Sequence, residues 1–195
     1  MINLTPEDKS YITNELSKFL KKNDSKGLIT KVQSDNKKNI LAFLLENNIP
    51  LLQRIETIPN AFLSGTEISS IIIPSNIKAI GRRAFDKCEK LVNVKIEEGV
   101  EEIRDDCFRE CYSLSSIEIP NSVEKLGNNC FRNSGLKSIL IPDSITYLTS
   151  TMFYGCSDDL KIYANSRKSM PTSKKLKCPS NDVEWLKNHL FVRGE

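Results

Sequence analysis

The chain is 195 residues long and contains a single histidine and a single tryptophan. One histidine, His189, excludes any mechanism or metal site that needs two. The six cysteines, Cys88, Cys107, Cys111, Cys130, Cys156 and Cys178, include no C-x-x-C pair, and the nearest spacing, Cys107 to Cys111, does not suit zinc. No G-x-S-x-G, P-loop or dinucleotide-binding glycine pattern occurs. Charged or polar residues interrupt every apolar stretch, so none approaches the roughly 18 residues of a membrane span. The first twenty residues, MINLTPEDKSYITNELSKFL, lack a basic start followed by an apolar run, which argues against a secretory signal and for a cytoplasmic chain. The 28 basic and 25 acidic side chains leave a net charge of +3, too small by itself to imply a nucleic-acid or membrane partner. The expectation is a protein that is not an enzyme, with no catalytic residue, cofactor or metal.

What is present is a core-forming composition, 39% hydrophobic and 27% charged, and a repeat. Phe62, Phe85, Phe108, Phe131 and Phe153 recur at intervals of 23, 23, 23 and 22 residues. The residue before each is mostly small: Ala61, Ala84, Cys107, Cys130 and Met152. Three residues after the last four come Cys88, Cys111, Ser134 and Cys156. An apolar-x-x-apolar-x-apolar stretch follows each of the first four: Ile68, Ile71, Ile73; Leu91, Val94, Ile96; Leu114, Ile117, Ile119; Leu136, Ile139, Ile141. Then comes a turn, as in Pro74-Ser75-Asn76 or Pro120-Asn121-Ser122, and a short apolar pair such as Ile77 with Ile80 or Val123 with Leu126. Cysteines at fixed repeat positions read as free, buried, small hydrophobes, which suits a reducing compartment. For the same reason Cys111 and Cys130 are not read as nucleophiles.

A unit of about 23 residues cannot bury its own apolar face, and stacked units can, by sharing one interior. Adjacent strands then lie about 4.7–4.9 Å apart, and equivalent positions form columns through the stack. The segments IIIPSNIKAIGRRAFDKCEKLVNVKI, IEIPNSVEKLGNNCFRNSGLKSILIP and DLKIYANS resemble the leucine-rich repeats of the BspA type over roughly residues 55 to 165. The resemblance implies an α/β solenoid, a curved right-handed coil with a parallel sheet on its concave face. It also implies protein binding or adhesion rather than catalysis.

A solenoid needs capped ends. Three domains are therefore expected: a helical N-terminal cap over 1–54, the repeats over 55–165, and a basic linker with a capping helix over 166–195. In the N-terminal part, the pattern predicts a helix over 5–22 with Thr5 as N-cap and Pro6 at the first helical position, broken by Asn23 to Gly27. A short helix should follow around Leu28, Ile29 and Val32, and a third near 37–46. Ser180 is the expected N-cap of a last helix carrying Val183, Trp185, Leu186 and Leu190, with His189 on its exposed side.

Between the inward residues of each strand lie Ser70 and Ile72, Asn93 and Lys95, Ser116 and Glu118, Ser138 and Leu140, and Lys161 in the shortened last unit. These side chains owe nothing to core packing and are the candidate partner-binding positions. Ile72 and Leu140 stand out as large apolar residues at nominally solvated places. The expected partner is another protein, bound by this face, by the N-terminal helices, or by both. Other readings stay open. The acid-free stretch from Lys161 to Lys177 suits a nucleic-acid contact, and small size without a secretion signal suits a phage-type inhibitor of a host protein such as a defence nuclease or CRISPR effector. A surface adhesin is the role the resemblance adds, and exposed strand edges leave homo-oligomerisation open. The run Glu97, Glu98, Glu101, Glu102, Asp105 and Asp106 reads as a solvated acidic face.

Overall fold

The computed structural model describes residues 5–12, 14, 25–34, 40, 43, 55–164 and 183–192. Each repeat is one coil, and each coil contributes up to two short strands to two separate parallel ladders. The first ladder runs β1 (Thr57–Ile58), β3 (Ala79–Ile80), β5 (Glu102–Ile103) and β7 (Lys125–Leu126). The second set is β2 (Ser70–Ile73), β4 (Asn93–Ile96), β6 (Ser116–Glu118), β8 (Ser138–Ile141), β9 (Lys161–Ala164) and β10 (Leu190–Val192). Here β2 pairs with β4, and β6, β8, β9 and β10 form one sheet, with β4 packed beside β6. Pairing joins residues one repeat apart: Ile71 with Val94, Ile80 with Ile103, Ile117 with Ile139. The result is a parallel β-solenoid of about five turns. The expected single sheet is thus accompanied by a second ladder built from the short apolar pairs, and helices are a minor component of the described residues.

The interior is the column set read from the repeat. All five recurring phenylalanines are buried. The rings of Phe85, Phe108, Phe131 and Phe153 stack, with centroids 5.2, 5.8 and 5.8 Å apart and interplanar angles of 9° or less. A spacing wider than the strand separation is what offset rings require. Phe62 lies in the same core, but its coil is offset by one residue. Its neighbour Ala61 adopts the left-handed conformation that Arg83, Asp106 and Asn129 adopt two residues before their phenylalanines. A second left-handed position recurs two residues after Phe at Lys87, Glu110 and Asn133, where Gly155 stands in the last coil. These conformations turn the chain tightly around the Phe column, and only asparagine and glycine adopt them cheaply.

The cysteines do more than fill space. Cys88, Cys111 and Cys156 donate their thiol hydrogens to the carbonyl oxygens of Leu63, Phe85 and Phe131 at 3.1–3.2 Å, each in the preceding coil. Thr66 and Ser134 occupy the same column, and the Ser134 hydroxyl lies 3.3 Å from Cys156 Sγ. A small side chain with a weak donor is what the column demands, which explains why cysteine alternates with serine and threonine there.

At the N-terminal side, α1 (Pro6–Tyr11) carries the expected cap: Thr5 Oγ1 accepts from the Asp8 amide at 3.1 Å, and Asp8 Oδ2 accepts from the Thr5 amide at 3.2 Å. The second helix, α2, spans Ser25–Ser34, and its Leu28, Ile29 and Val32 are buried. Gly27 is therefore inside a helix and not part of a break. In the third expected helix, 37–46, the described residues Ile40 and Phe43 are helical, Ile40 is buried, and Phe43 packs on the core. The rest of that helix, residues 13 and 15–22, and Ser180 lie outside the described residues. The last helix, α3, spans Val183–His189. Leu190 does not continue it: Leu190–Val192 form β10, paired in parallel with Ile162–Ala164. The expected helical pattern failed there because these three residues find a strand partner in β9, a contact that periodicity within the helix does not reveal. Trp185 stacks on Phe153 at 6.1 Å and so extends the aromatic column by one ring.

Candidate functional site

The outward side of the long-strand sheet is a surface of side-chain columns. One column runs Ser70, Asn93, Ser116, Ser138 and Lys161, and the register pairs Ser70 with Asn93, Ser116 with Ser138, and Ser138 with Lys161. The other runs Ile72, Lys95, Glu118, Leu140, Tyr163 and Phe191, with Leu140 paired to Tyr163 and Tyr163 to Phe191. The nine candidate positions all lie on this face. Asn93, Lys95, Ser116, Glu118 and Lys161 are exposed, Ser70, Ser138 and Leu140 are half-buried, and Ile72 is 45% exposed.

The structure does not bring Ile72 and Leu140 together, because the coils bearing Lys95 and Glu118 stand between them. Leu140 instead meets Tyr163, whose ring lies 6.0 Å from that of Phe191 at 43°. An apolar strip over three neighbouring strands therefore crosses the C-terminal half of the sheet, and Phe191 at its end is 43% exposed. Tyr163 and Phe191 were missed in the sequence. Tyr163 sits two residues after Lys161 in a shortened unit, and a pattern count could have found it. Phe191 could not be found, since β10 lies outside the repeat.

A shallow hollow of about 370 Å³ lies beside this strip, lined by Ser116, Glu118, Ser138, Leu140 and Tyr163. A second, of about 510 Å³, extends toward the turns and is lined by Lys95, Glu97, Glu98, Glu118, Asn121 and Leu140 among others. Glu118 and Leu140 form the wall shared by both. Lys95 is held 3.5 Å from Glu97, an exposed pair worth little by itself. Apolar anchors beside hydroxyls and a carboxylate make a surface suited to a protein segment with an apolar side chain flanked by donors.

The expected solvated acidic face holds in part: Glu98 and Glu101 are exposed, Glu97, Glu102 and Asp105 are half-buried, and Asp106 is buried. Neighbouring coils present unpaired backbone amides at their turns, and these carboxylates accept from them. Glu98 accepts from the amides of Asn121 and Ser122 at 3.1 and 3.0 Å, Glu97 from Ser75 at 3.2 Å, and Asp105 from Asn128 at 2.8 Å. Asp106 is buried and lies 3.4 Å from both Arg82 and Arg83, while Glu101 pairs with Lys78 and Glu102 with Arg104. One coil away, Arg109 forks onto the buried Asp86 at 2.8 and 3.0 Å, and that hydrogen bonding raises the Arg109 pKa. Of the basic stretch, only Lys161–Ala164 belongs to the described residues, and Lys161 is its one basic residue there. Burial pushes the Cys107, Cys111 and Cys130 thiols well up, which keeps them protonated and unreactive.

His189 is not on an exposed helix side. It is half-buried, with its ring 4.3 Å from that of Trp185. Helical periodicity placed it outward, but the turn that precedes β9 folds over it.

The profile of the family described as "BspA type Leucine rich repeat region" matches residues 45–173 in six copies. No curated protein matches the chain. Among solved structures, a leucine-rich repeat protein from Bacteroides capillosus is 34% identical over 44% of this chain and 62% of its own, with a TM-score of 0.41. A leucine-rich repeat protein from Eubacterium ventriosum is 27% identical over 59% of this chain and 31% of its own, with a TM-score of 0.53. The leucine-rich repeat protein of T. pallidum is 23% identical over 69% of this chain and 76% of its own, with a TM-score of 0.46. The chain thus spans less than two thirds of the first two.

Proposed function

Because this chain belongs to the BspA-type leucine-rich repeat family, we propose that it is a non-catalytic module that binds another protein through the outward face of the long-strand sheet. The repeat fold is generally a protein-interaction scaffold. The observation that carries the reading is the strip Leu140, Tyr163 and Phe191, three large side chains in register on three adjacent strands and on the face away from the core. A monomer has no packing reason to place them there, and aromatic residues beside a polar rim are what anchor a partner. On this reading the sheet is the concave side of a right-handed coil. The N-terminal helices and α3 close its ends, and the thiols stay reduced in the cytoplasm.

The test is affinity capture from lysate of the native host with three chains: unaltered, Leu140→Glu with Tyr163→Glu, and Ile72→Glu. Charge placed in the strip should weaken capture by about thirtyfold or more, the loss expected of an interface anchor, while Ile72→Glu should matter less. Capture unaffected by the double substitution moves the site off this sheet. Capture that disappears only when residues 1–54 are removed assigns it to the N-terminal helices.

A further inference from the structure

His189 ends α3 and immediately precedes β10. Its Nδ1 lies 2.8 Å from the carbonyl oxygen of Trp185, and its Nε2 lies 3.3 Å from the carbonyl oxygen of Asp158. A carbonyl oxygen only accepts. A neutral imidazole carries one N–H, so it serves one of these oxygens and turns a lone pair on the other, whereas the imidazolium donates to both. Two more features favour positive charge at this place. His189 sits at the C-terminal, negative end of a helix, and its ring lies 4.3 Å from the centre of the Trp185 ring, whose π-face attracts a cation. The charged residues on the elements around it, among the described residues, are Asp158 and Asp159 in the turn, Lys161 at the start of β9, and Glu184 and Lys187 on α3: three acids and two bases.

The ring joins three pieces of structure. It stacks on Trp185, which stacks on Phe153 at the end of the aromatic column. It reaches Asp158 in the turn before β9, and it is contiguous with β10, which pairs with β9. We propose that His189 is a proton-operated latch: its protonation fastens α3 and β10 to the end of the repeat stack, and loss of the proton loosens them, uncovering Phe153 and the free edge of β9. Docking is then tighter with the proton bound and weakens as pH rises. The inference rests on geometry and stands apart from the binding reading, although Phe191 on β10 makes one end of that surface subject to the latch.

The chain's single histidine and single tryptophan allow a clean test on the full-length protein. Amide hydrogen exchange of Leu190–Val192 is followed at about pH 5.5 and about pH 7.5, corrected for intrinsic exchange, with the amides of β6 and β8 as internal reference. Protection of β10 should be about five- to tenfold greater at the lower pH, as a cation at a helix C-terminus gives, and the reference amides should not follow. Trp185 emission should change in step with the ring-proton NMR titration of His189. In His189→Gln the difference should vanish. Equal protection at both pH values in the unaltered chain overturns the latch whatever the variant does, and so does a difference that survives in His189→Gln. Where that variant loses β10 altogether, His189→Phe, which keeps an aromatic ring on Trp185, must show protection that is the same at both pH values.

Discussion

Replacing Phe108 by alanine removes an interior ring of the aromatic column. Phe108 is fully buried, with Phe85 at 5.2 Å on one side and Phe131 at 5.8 Å on the other. Burying such a side chain contributes about 1.5–3 kcal/mol. The cavity left in a close-packed interior brings the typical loss to about 3–5 kcal/mol. Each ring pair contributes about 0.5–1.5 kcal/mol beyond area, and two pairs are lost here, which places the expected loss at the upper end of that range, about 5 kcal/mol. That is a large fraction of the roughly 5–15 kcal/mol that holds a domain folded. Because each coil contacts only its neighbours, the damage lies at the third coil, on both its faces, and should broaden unfolding into two steps. Urea unfolding followed by far-ultraviolet circular dichroism, with Trp185 emission as a probe of the C-terminal end, measures both effects. A loss below about 1.5 kcal/mol with an unchanged, single transition would refute the idea that the stacked rings form one shared interior.

The same logic yields other expectations. Lys87→Gly should stabilise the chain by about 1 kcal/mol, since Lys87 is exposed at φ 60° and glycine adopts that conformation freely. Gly99→Ala should cost more than about 2 kcal/mol, because φ is 125° there and a Cβ would overlap the Ser75 carbonyl oxygen; thermal melts of both variants decide. Asp86→Ala leaves the forked guanidinium of Arg109 without its buried partner and should cost about 2–3 kcal/mol in denaturant titrations. Alkylation at about pH 8 should leave Cys107, Cys111 and Cys130 unmodified until denaturant is added, because burial holds these thiols protonated far above that pH; mass spectrometry of the alkylated native chain would detect any exception.

Much of the fold was legible because one physical rule repeats. The spacing of Phe62, Phe85, Phe108, Phe131 and Phe153 predicted a column of five; the last four rings stack, while in the first coil Leu63 takes the place of the ring because that coil is offset by one residue. The apolar-x-x-apolar-x-apolar stretches predicted strands with inward Ile71, Ile117 and Ile139, and those residues are buried. The candidate surface was legible for the same reason: once inward positions are known, Lys95, Glu118 and Leu140 must point outward. Less legible was anything that depends on a neighbour outside the repeat. Leu190 carries a helical pattern yet pairs as a strand with Ile162. Asp106 looks like a member of a charged run, yet it is buried against Arg82 and Arg83, whose positions a coil away no local count reveals.

Taken alone, then, the order of amino acids determined the length of each coil, which side chains fill the interior and which face solvent, since a 23-residue period and the two-residue alternation of strands are local properties. Tertiary structure decided which outward residues become neighbours: Leu140 with Tyr163 and Phe191, Asp86 with Arg109, His189 with the Asp158 carbonyl. Those pairings depend on register between coils and on where the last helix and strand come to rest. Both are set by packing and hydrogen bonding between segments far apart in the chain.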